Sequence, residues 1–331
     1  MLPSRISVIL FKHIICQILC IFCINWSGAR VVRIEDDGVR TVPMQQLDKA
    51  IDSDGSFIAG VGDYQVYWYH DTESEGHPLL FVHSVNAAPS AIELKPLFQH
   101  FRASRSVFAP DLPGFGRSTR SVGTMTASGF AENITSFIDQ MPSSEPPDVI
   151  ALSLGCEFVA RAVVECGAKV RSLTFISPSG FSRRQPPAAQ AQKRLKRVFD
   201  FAGLGRGAFK LLRLEWSIRY FYGMNFSGFV PNELITYALK TTRQSGAHEM
   251  PLQFLSMSLF TPNATEFLYS RLDIPVLVLF DEDPNLSFEL FERFTANPAW
   301  QFKRIAPTLG MPHWERPEET ADAIEAFFSG L

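Results

Sequence analysis

The chain is poor in the residues that build metal and disulfide frameworks. It has five cysteines and seven histidines among 331 residues, and none of them pairs at a metal-ligand spacing. The one Cys-x-x-Cys stretch, Cys20-Ile21-Phe22-Cys23, lies inside an apolar N-terminal run. Beyond that run only Cys156 and Cys166 remain. They fall on one predicted helix, where they are badly placed to bridge. No metal, no cofactor and no disulfide framework is therefore expected. The chain also lacks a basic excess, with 31 Lys and Arg against 34 Asp and Glu and a net charge of −3. That argues against a nucleic-acid binder. The apolar fraction of 46% and charged fraction of 20% are those of a folded globular protein. The length allows one large core, with or without an insertion.

Residues 1–29 differ from the rest. Arg5 precedes an apolar run that Lys12-His13 interrupts, and a second run spans Ile14 to Trp26. The uninterrupted part is short for a membrane span. Ser27-Gly28-Ala29 offers small residues for signal-peptidase cleavage. Three readings stay open: a cleaved signal peptide, an uncleaved N-terminal membrane anchor, and an unstructured extension. The first two imply a periplasmic or extracellular protein, or one held at a membrane by its N-terminus. The third leaves a cytoplasmic protein. Residues 30–55 are polar and mixed and read as a linker or irregular arm.

From residue 56 onward strands and helices alternate. Short strands are expected at Ser56 to Ala59 and Tyr64 to His70, and buried strands at Leu79 to Val82, Val107 to Ala109, Val149 to Leu152, Val170 to Ile176, Ile274 to Phe280 and Trp300 to Ile305. Helices are expected at Ile92 to Phe101, Ala127 to Met141, after Gly155, at Phe288 to Thr295 and at Pro317 to Phe328. The alternation stops over residues 182–271, a helical block with no convincing strand. It opens with basic residues, from Arg183 and Arg184 to Lys210 and Arg213, and carries aromatics such as Trp216, Tyr220 and Phe226. A solvated helix face explains those charges as well as an anionic membrane or acidic substrate does. The pattern means an α/β fold: a mostly parallel sheet with helices on both faces. Sites in such sheets gather at the carboxyl ends of the strands.

One stretch organises the chemistry. In Val149-Ile150-Ala151-Leu152-Ser153-Leu154-Gly155-Cys156 an apolar run ends at a serine and a helix begins at once. A turn that tight needs small neighbours, and Ala151 and Gly155 supply them. The competing reading is a plain strand-to-helix turn with a capping serine. His83, Asp111, Ser153 and Asp283 all fall just past strand ends and can converge on one site.

With these motifs in order, residues 56–331 resemble the α/β-hydrolase fold family, in its capped, serine-nucleophile branch. Ala151-Leu152-Ser153-Leu154-Gly155 resembles the nucleophile elbow, with Ala where Gly is commoner. Asp111-Leu112-Pro113-Gly114-Phe115-Gly116-Arg117-Ser118 resembles the loop after the family's fourth strand. His83-Ser84-Val85-Asn86 resembles the oxyanion loop, with Ser84 for Gly. Ile274 to Pro284 resembles the strand and loop that carry the triad acid. The resemblance implies an eight-stranded type of sheet, with core segments 56–181 and 272–331 and a helical cap at 182–271. It implies Ser153 as nucleophile, Asp283 as acid, and the Val85 and Leu154 N–H groups as oxyanion donors. A serine rather than an aspartate at the elbow argues against the carboxylate-nucleophile branches.

The C-terminal motif departs from the family. Gly-His-x-x-x-x-Glu-x-Pro is usual, and here the stretch is Leu309-Gly310-Met311-Pro312-His313-Trp314-Glu315-Arg316-Pro317. Gly310 takes the slot of the catalytic histidine. His313, three residues on, is the candidate base if its loop shifts; otherwise it is a structural residue. His83, His248, Asp111, Asp281, Glu282 and Cys156 are expected to be structural or solvated. The resulting expectation is an esterase-like serine hydrolase that cleaves an ester or related acyl or carbon–carbon bond of a small, largely apolar substrate through an acyl-enzyme. The alternative is a hydrolase-like binding protein without turnover. The sequence leaves the oligomeric state open.

Overall fold

The computed structural model describes residues 47–62, 64–72, 76–200 and 204–331. The leader at 1–29 lies outside the described residues, as does most of the arm at 30–55. The last part of that arm is not a linker. Ile51 is buried, and the Ala50 N–H donates to the Tyr69 hydroxyl at 2.9 Å. Among the described residues no helix is long and apolar enough to cross a membrane.

Eight strands form one sheet: β1 Asp54–Ala59, β2 Gln65–Asp71, β3 Leu79–Val82, β4 Val107–Pro110, β5 Asp148–Leu152, β6 Ser172–Ile176, β7 Val276–Phe280 and β8 Trp300–Arg304. Their spatial order is β1-β2-β4-β3-β5-β6-β7-β8. β2 pairs antiparallel with β1 and β4, and every other pair is parallel. The strand alternation produces two cores. Val149, Ala151, Phe175 and Val278 face one side of the sheet with Phe130, Phe137 and Phe158. Ile150, Leu152, Ile176 and Leu279 face the other with Phe98, Phe101, Ile324 and Phe327. The sheet therefore carries α2 (Ala127–Asp139) and α3 (Gly155–Cys166) on one face. It carries α1 (Lys95–Phe101) and α11 (Pro317–Ser329) on the other. This burial on both faces is why β3 to β7 read as continuous apolar runs.

Between β6 and β7 lies an all-helical insert: α4 Ala189–Asp200, α5 Leu204–Leu212, α6 Glu215–Gly223, α7 Asn232–Thr241, α8 Glu249–Leu255 and α9 Ala264–Phe267. The short α10, Pro312–Glu315, follows β8. The helix expected over Phe288 to Thr295 does not form. Only a 3-10 turn, Phe291–Arg293, is present. Phe288 and Phe291 stack with centroids 4.8 Å apart, and Phe291 also meets Phe280 and Phe302. Aromatic packing against β7 and β8 fixes that segment, and its three-residue spacing mimics a helix.

Candidate active site

Ser153 sits between the end of β5 and the start of α3 with φ 53°. That left-handed conformation is costly for a non-glycine residue and persists only when the surroundings impose it. Here the Ser153 N–H donates to the Ile176 carbonyl at 2.9 Å, and the Ser153 carbonyl accepts from Cys156 and Ser179. A Cβ on Gly155 would lie 2.7 Å from the His83 carbonyl oxygen. The turn thus packs directly on the loop after β3, and a side chain at 155 would push the two apart. Ser153 is half-buried. Among the described residues its hydroxyl has no hydrogen-bond partner.

The loop after β3 is held by groups that are themselves buried. The Leu112 N–H donates to His83 Nε2 at 2.9 Å. The proton must then be on Nδ1, which donates to the Ser84 carbonyl at 2.6 Å. Burial pushes the His83 ring down to about 4. Both nitrogens are committed, so His83 is a structural residue. Glu93, just before α1, is the residue the sequence reading missed. Its carboxylate accepts the Ser84 N–H at 3.0 Å and the Asn86 amide at 2.8 Å. Burial pushes it up to about 7. The available signal was an acid inside the apolar run Ala91-Ile92-Glu93-Leu94. Neither the Val85 nor the Leu154 N–H has a partner among the described residues.

Asp283 follows β7. Its Oδ1 accepts the N–H groups of Asn285 and Leu286 at 2.7 and 2.9 Å. Its Oδ2 has no donor among the described residues. Burial outweighs those two bonds and pushes the carboxyl up to about 6. Gly310 lies directly against that free oxygen, since a Cβ built on it would be 2.9 Å from Asp283 Oδ2. Residue 310 thus faces the acid, and it has no side chain. Its φ of 107° disfavours one as well.

His313 makes no hydrogen bond to Ser153 or Asp283 among the described residues. It is buried on α10, and its Nε2 donates to the Glu93 carbonyl at 2.6 Å, while Nδ1 has no partner. Desolvation pushes the ring down to about 4. α10 is pinned at Glu93 by His313 and by the Trp314 indole N–H at 2.7 Å. The other candidates are structural. Asp281 accepts from Arg304 and from the Thr308 N–H. Asp111 accepts the N–H groups of Ala91 and Arg117 at 2.8 and 2.9 Å. Cys156 is fully buried with its thiol against the Ala151 carbonyl. His248 accepts from Arg206 within the insert, and Glu282 is exposed. Two surface clefts at the edge of the insert, one lined by Gly123, Phe199, His248 and Leu252 and the other by Arg183, Asn263 and Arg293, include neither Ser153 nor Asp283.

A model of the alpha/beta hydrolase family matches residues 79–323. No curated protein matches the chain. Among solved structures, an esterase from Thermogutta terrifontis is similar at 18% identity and TM-score 0.65, over 84% of this chain and 99% of that one. The carboxylesterase CesB from Bacillus subtilis is similar at 17% identity and TM-score 0.63, over 85% and 93%. The Cif epoxide hydrolase from Acinetobacter nosocomialis is similar at 15% identity and TM-score 0.62, over 83% and 88%. At such identities the structures establish the shared fold alone.

Proposed function

Since the chain belongs to the alpha/beta hydrolase family, we propose that it cleaves ester or related acyl bonds of small, largely apolar substrates with Ser153 as nucleophile. The observation that carries this reading is the left-handed Ser153 between β5 and α3, with two uncommitted N–H groups, of Leu154 and Val85, in its two flanking loops. In this reading Ser153 Oγ attacks the acyl carbon and the two amides receive the developing oxyanion. The leaving group departs from an acyl-enzyme, which water then hydrolyses. Asp283 supplies the negative charge that stabilises a protonated base.

The base is the weak point of the chain's own equipment. A serine hydroxyl is a poor nucleophile until its proton has somewhere to go. His83 and His313 both have their Nε2 engaged elsewhere, and position 310 is bare. Oxyanion donors and binding alone leave roughly 10³–10⁴-fold acceleration over water in triad enzymes stripped of their triads. The same observation favours a second reading, in which the Ser153 site binds an acyl ligand without turnover. The experiment that decides is labelling of the purified full chain by a fluorophosphonate. Modification at Ser153, mapped by peptide mass spectrometry and lost in Ser153→Ala, is the expected result. A chain that binds ester ligands yet is never labelled belongs to the second reading.

A further inference from the structure

The geometry around Asp283 is incomplete in a directional way. Oδ1 has two donors, and Oδ2 has none. The bare Gly310 Cα lies beside Oδ2, and Asn225 Oδ1 is 3.6 Å from the point where a Cβ would stand. The orientation of that amide is fixed from its other end, because Asn225 Nδ2 donates to the Phe221 carbonyl at 3.0 Å. Asn285 Nδ2 donates to the same Asn225 oxygen at 3.3 Å. Two acceptor oxygens therefore border one spot on a bare stretch of backbone. No Lys, Arg or His among the described residues forms an ion pair with Asp283. Asp283 and Ser153 are both partly exposed, so a ligand can reach them, whereas His83 and His313 are fully buried. A carboxylate beside an amide oxygen selects an N–H donor, preferably one that can carry positive charge.

We propose that the group completing this site comes from the substrate: the Ser153 site takes esters whose acyl portion carries a basic group with an N–H, an imidazole ring or a primary or secondary amine, and that N–H points at Asp283 Oδ2 beside Gly310. The proposal rests on the reading of Ser153 as nucleophile. As the Oγ–carbon bond forms, the hydroxyl proton passes to the second, unprotonated ring nitrogen of an imidazole, or to the lone pair of a neutral amine. The resulting cation is held by Asp283 through its N–H. The proton then goes to the leaving alkoxide as the carbon–oxygen bond breaks. Because the nitrogen is on the acyl portion, it stays for the second half-reaction. There it takes a proton from the attacking water and returns it to Ser153 Oγ as the acyl-enzyme is cleaved. The net change is ester and water to acid and alcohol, with no other reactant.

The test uses the purified full chain with free imidazole as the probe. With p-nitrophenyl acetate, turnover and fluorophosphonate labelling of Ser153 are expected to rise with imidazole, to saturate, and to gain at least about tenfold, the low side of general acid–base catalysis. Asp283→Asn keeps the shape of the site and is expected to abolish the gain. Gly310→Ala places a methyl against Oδ2 and is expected to do the same. An ester with an amine on its acyl chain is expected to turn over at least about tenfold faster than its apolar isostere without imidazole. If Ser153 is labelled equally well at every imidazole concentration and the two esters react alike, the ligand-supplied base is wrong and the nucleophile reading stands. If imidazole acts linearly and equally on Ser153→Ala, and Ser153 is never labelled, both are wrong.

Discussion

Glu93 shows how much a single side chain controls near Ser153. Its carboxylate holds the Ser84 N–H and the Asn86 amide, and its carbonyl receives His313 and Trp314. One residue thus ties the loop after β3 to α10. Its carboxyl is raised by burial from 4.5 to about 7. The folded chain therefore keeps a proton between about pH 4.5 and 7 that the unfolded chain releases. Stability from this group is full below 4.5 and is lost as pH rises through about 7. The whole change is about 3 kcal/mol. Glu93→Gln removes that dependence. Urea unfolding at pH 5 and pH 8 is expected to show the wild type losing about 2.5 kcal/mol more than the variant between the two, since part of the change already lies below pH 5. An equal loss in both proteins would mean that Glu93 does not titrate in this window. None of this was legible in the sequence, because a lone acid in an apolar helical turn looks the same whether it is buried or not.

The strand β5 leads into the Ser153 turn at one end and is anchored at the other. Its carboxyl end delivers Ser153. Its first residue, Asp148, is buried and accepts from Arg105 at 2.6 Å, from two nitrogens of Arg171 at 2.9 and 2.6 Å, and from the Ser172 hydroxyl at 2.5 Å. Arg105 also lies over the Phe328 ring of α11, 4.7 Å from its centroid. Asp148→Ala leaves two guanidiniums largely buried and without their carboxylate. It is expected to cost about 3–5 kcal/mol, read as a lower urea midpoint. Fluorophosphonate labelling per folded molecule is expected to match wild type, because Asp148 is at the far end of the strand. A loss below about 1 kcal/mol would show that solvent already screens the cluster. Strands such as β5 were readable because burial on both faces leaves an unbroken apolar run, and the tight turn at Ser153 followed from the small residues around it. The failures have the same origin in tertiary contact. The run Phe288 to Thr295 has helical spacing, yet ring packing on Phe280, Phe302 and Trp300 decides its shape. Gly310 meets Asp283 only through the fold, and the position of His313 depends on Glu93, 220 residues away in the chain.

Across the whole molecule, many polar contacts fasten the insert to the rest of the fold, and Arg120 makes two of them while also holding the loop after β4. Its guanidinium donates to the Gln244 side chain at 2.8 Å, to the Thr241 carbonyl at 3.2 Å and to the Gly114 carbonyl at 3.2 Å. The first two partners are at the end of α7, and the third is in the loop after β4. Burial pushes Arg120 down to about 10, so it stays charged at neutral pH. Gln253 of α8 makes the neighbouring tie, accepting from the Met125 N–H and donating to the Gly123 carbonyl. Arg120→Met keeps the stem and removes three charge-assisted bonds, each of a kind worth about 1.5–3 kcal/mol but not additive here. The expected loss is about 3 kcal/mol, and at roughly 2–4 °C per kcal/mol Tm falls by about 6–12 °C. The character of the loss matters more than its size. Sheet strands β3 to β7 keep all their pairings, so the insert should open first. Limited proteolysis of the variant is expected to cut within residues 189–267 faster than in wild type, while the fragment carrying β3 to β5 persists. If both proteins are cut at the same sites and rates despite a lower Tm, the insert and the sheet unfold as one cooperative unit, and Arg120 stabilises that unit without acting as its hinge point.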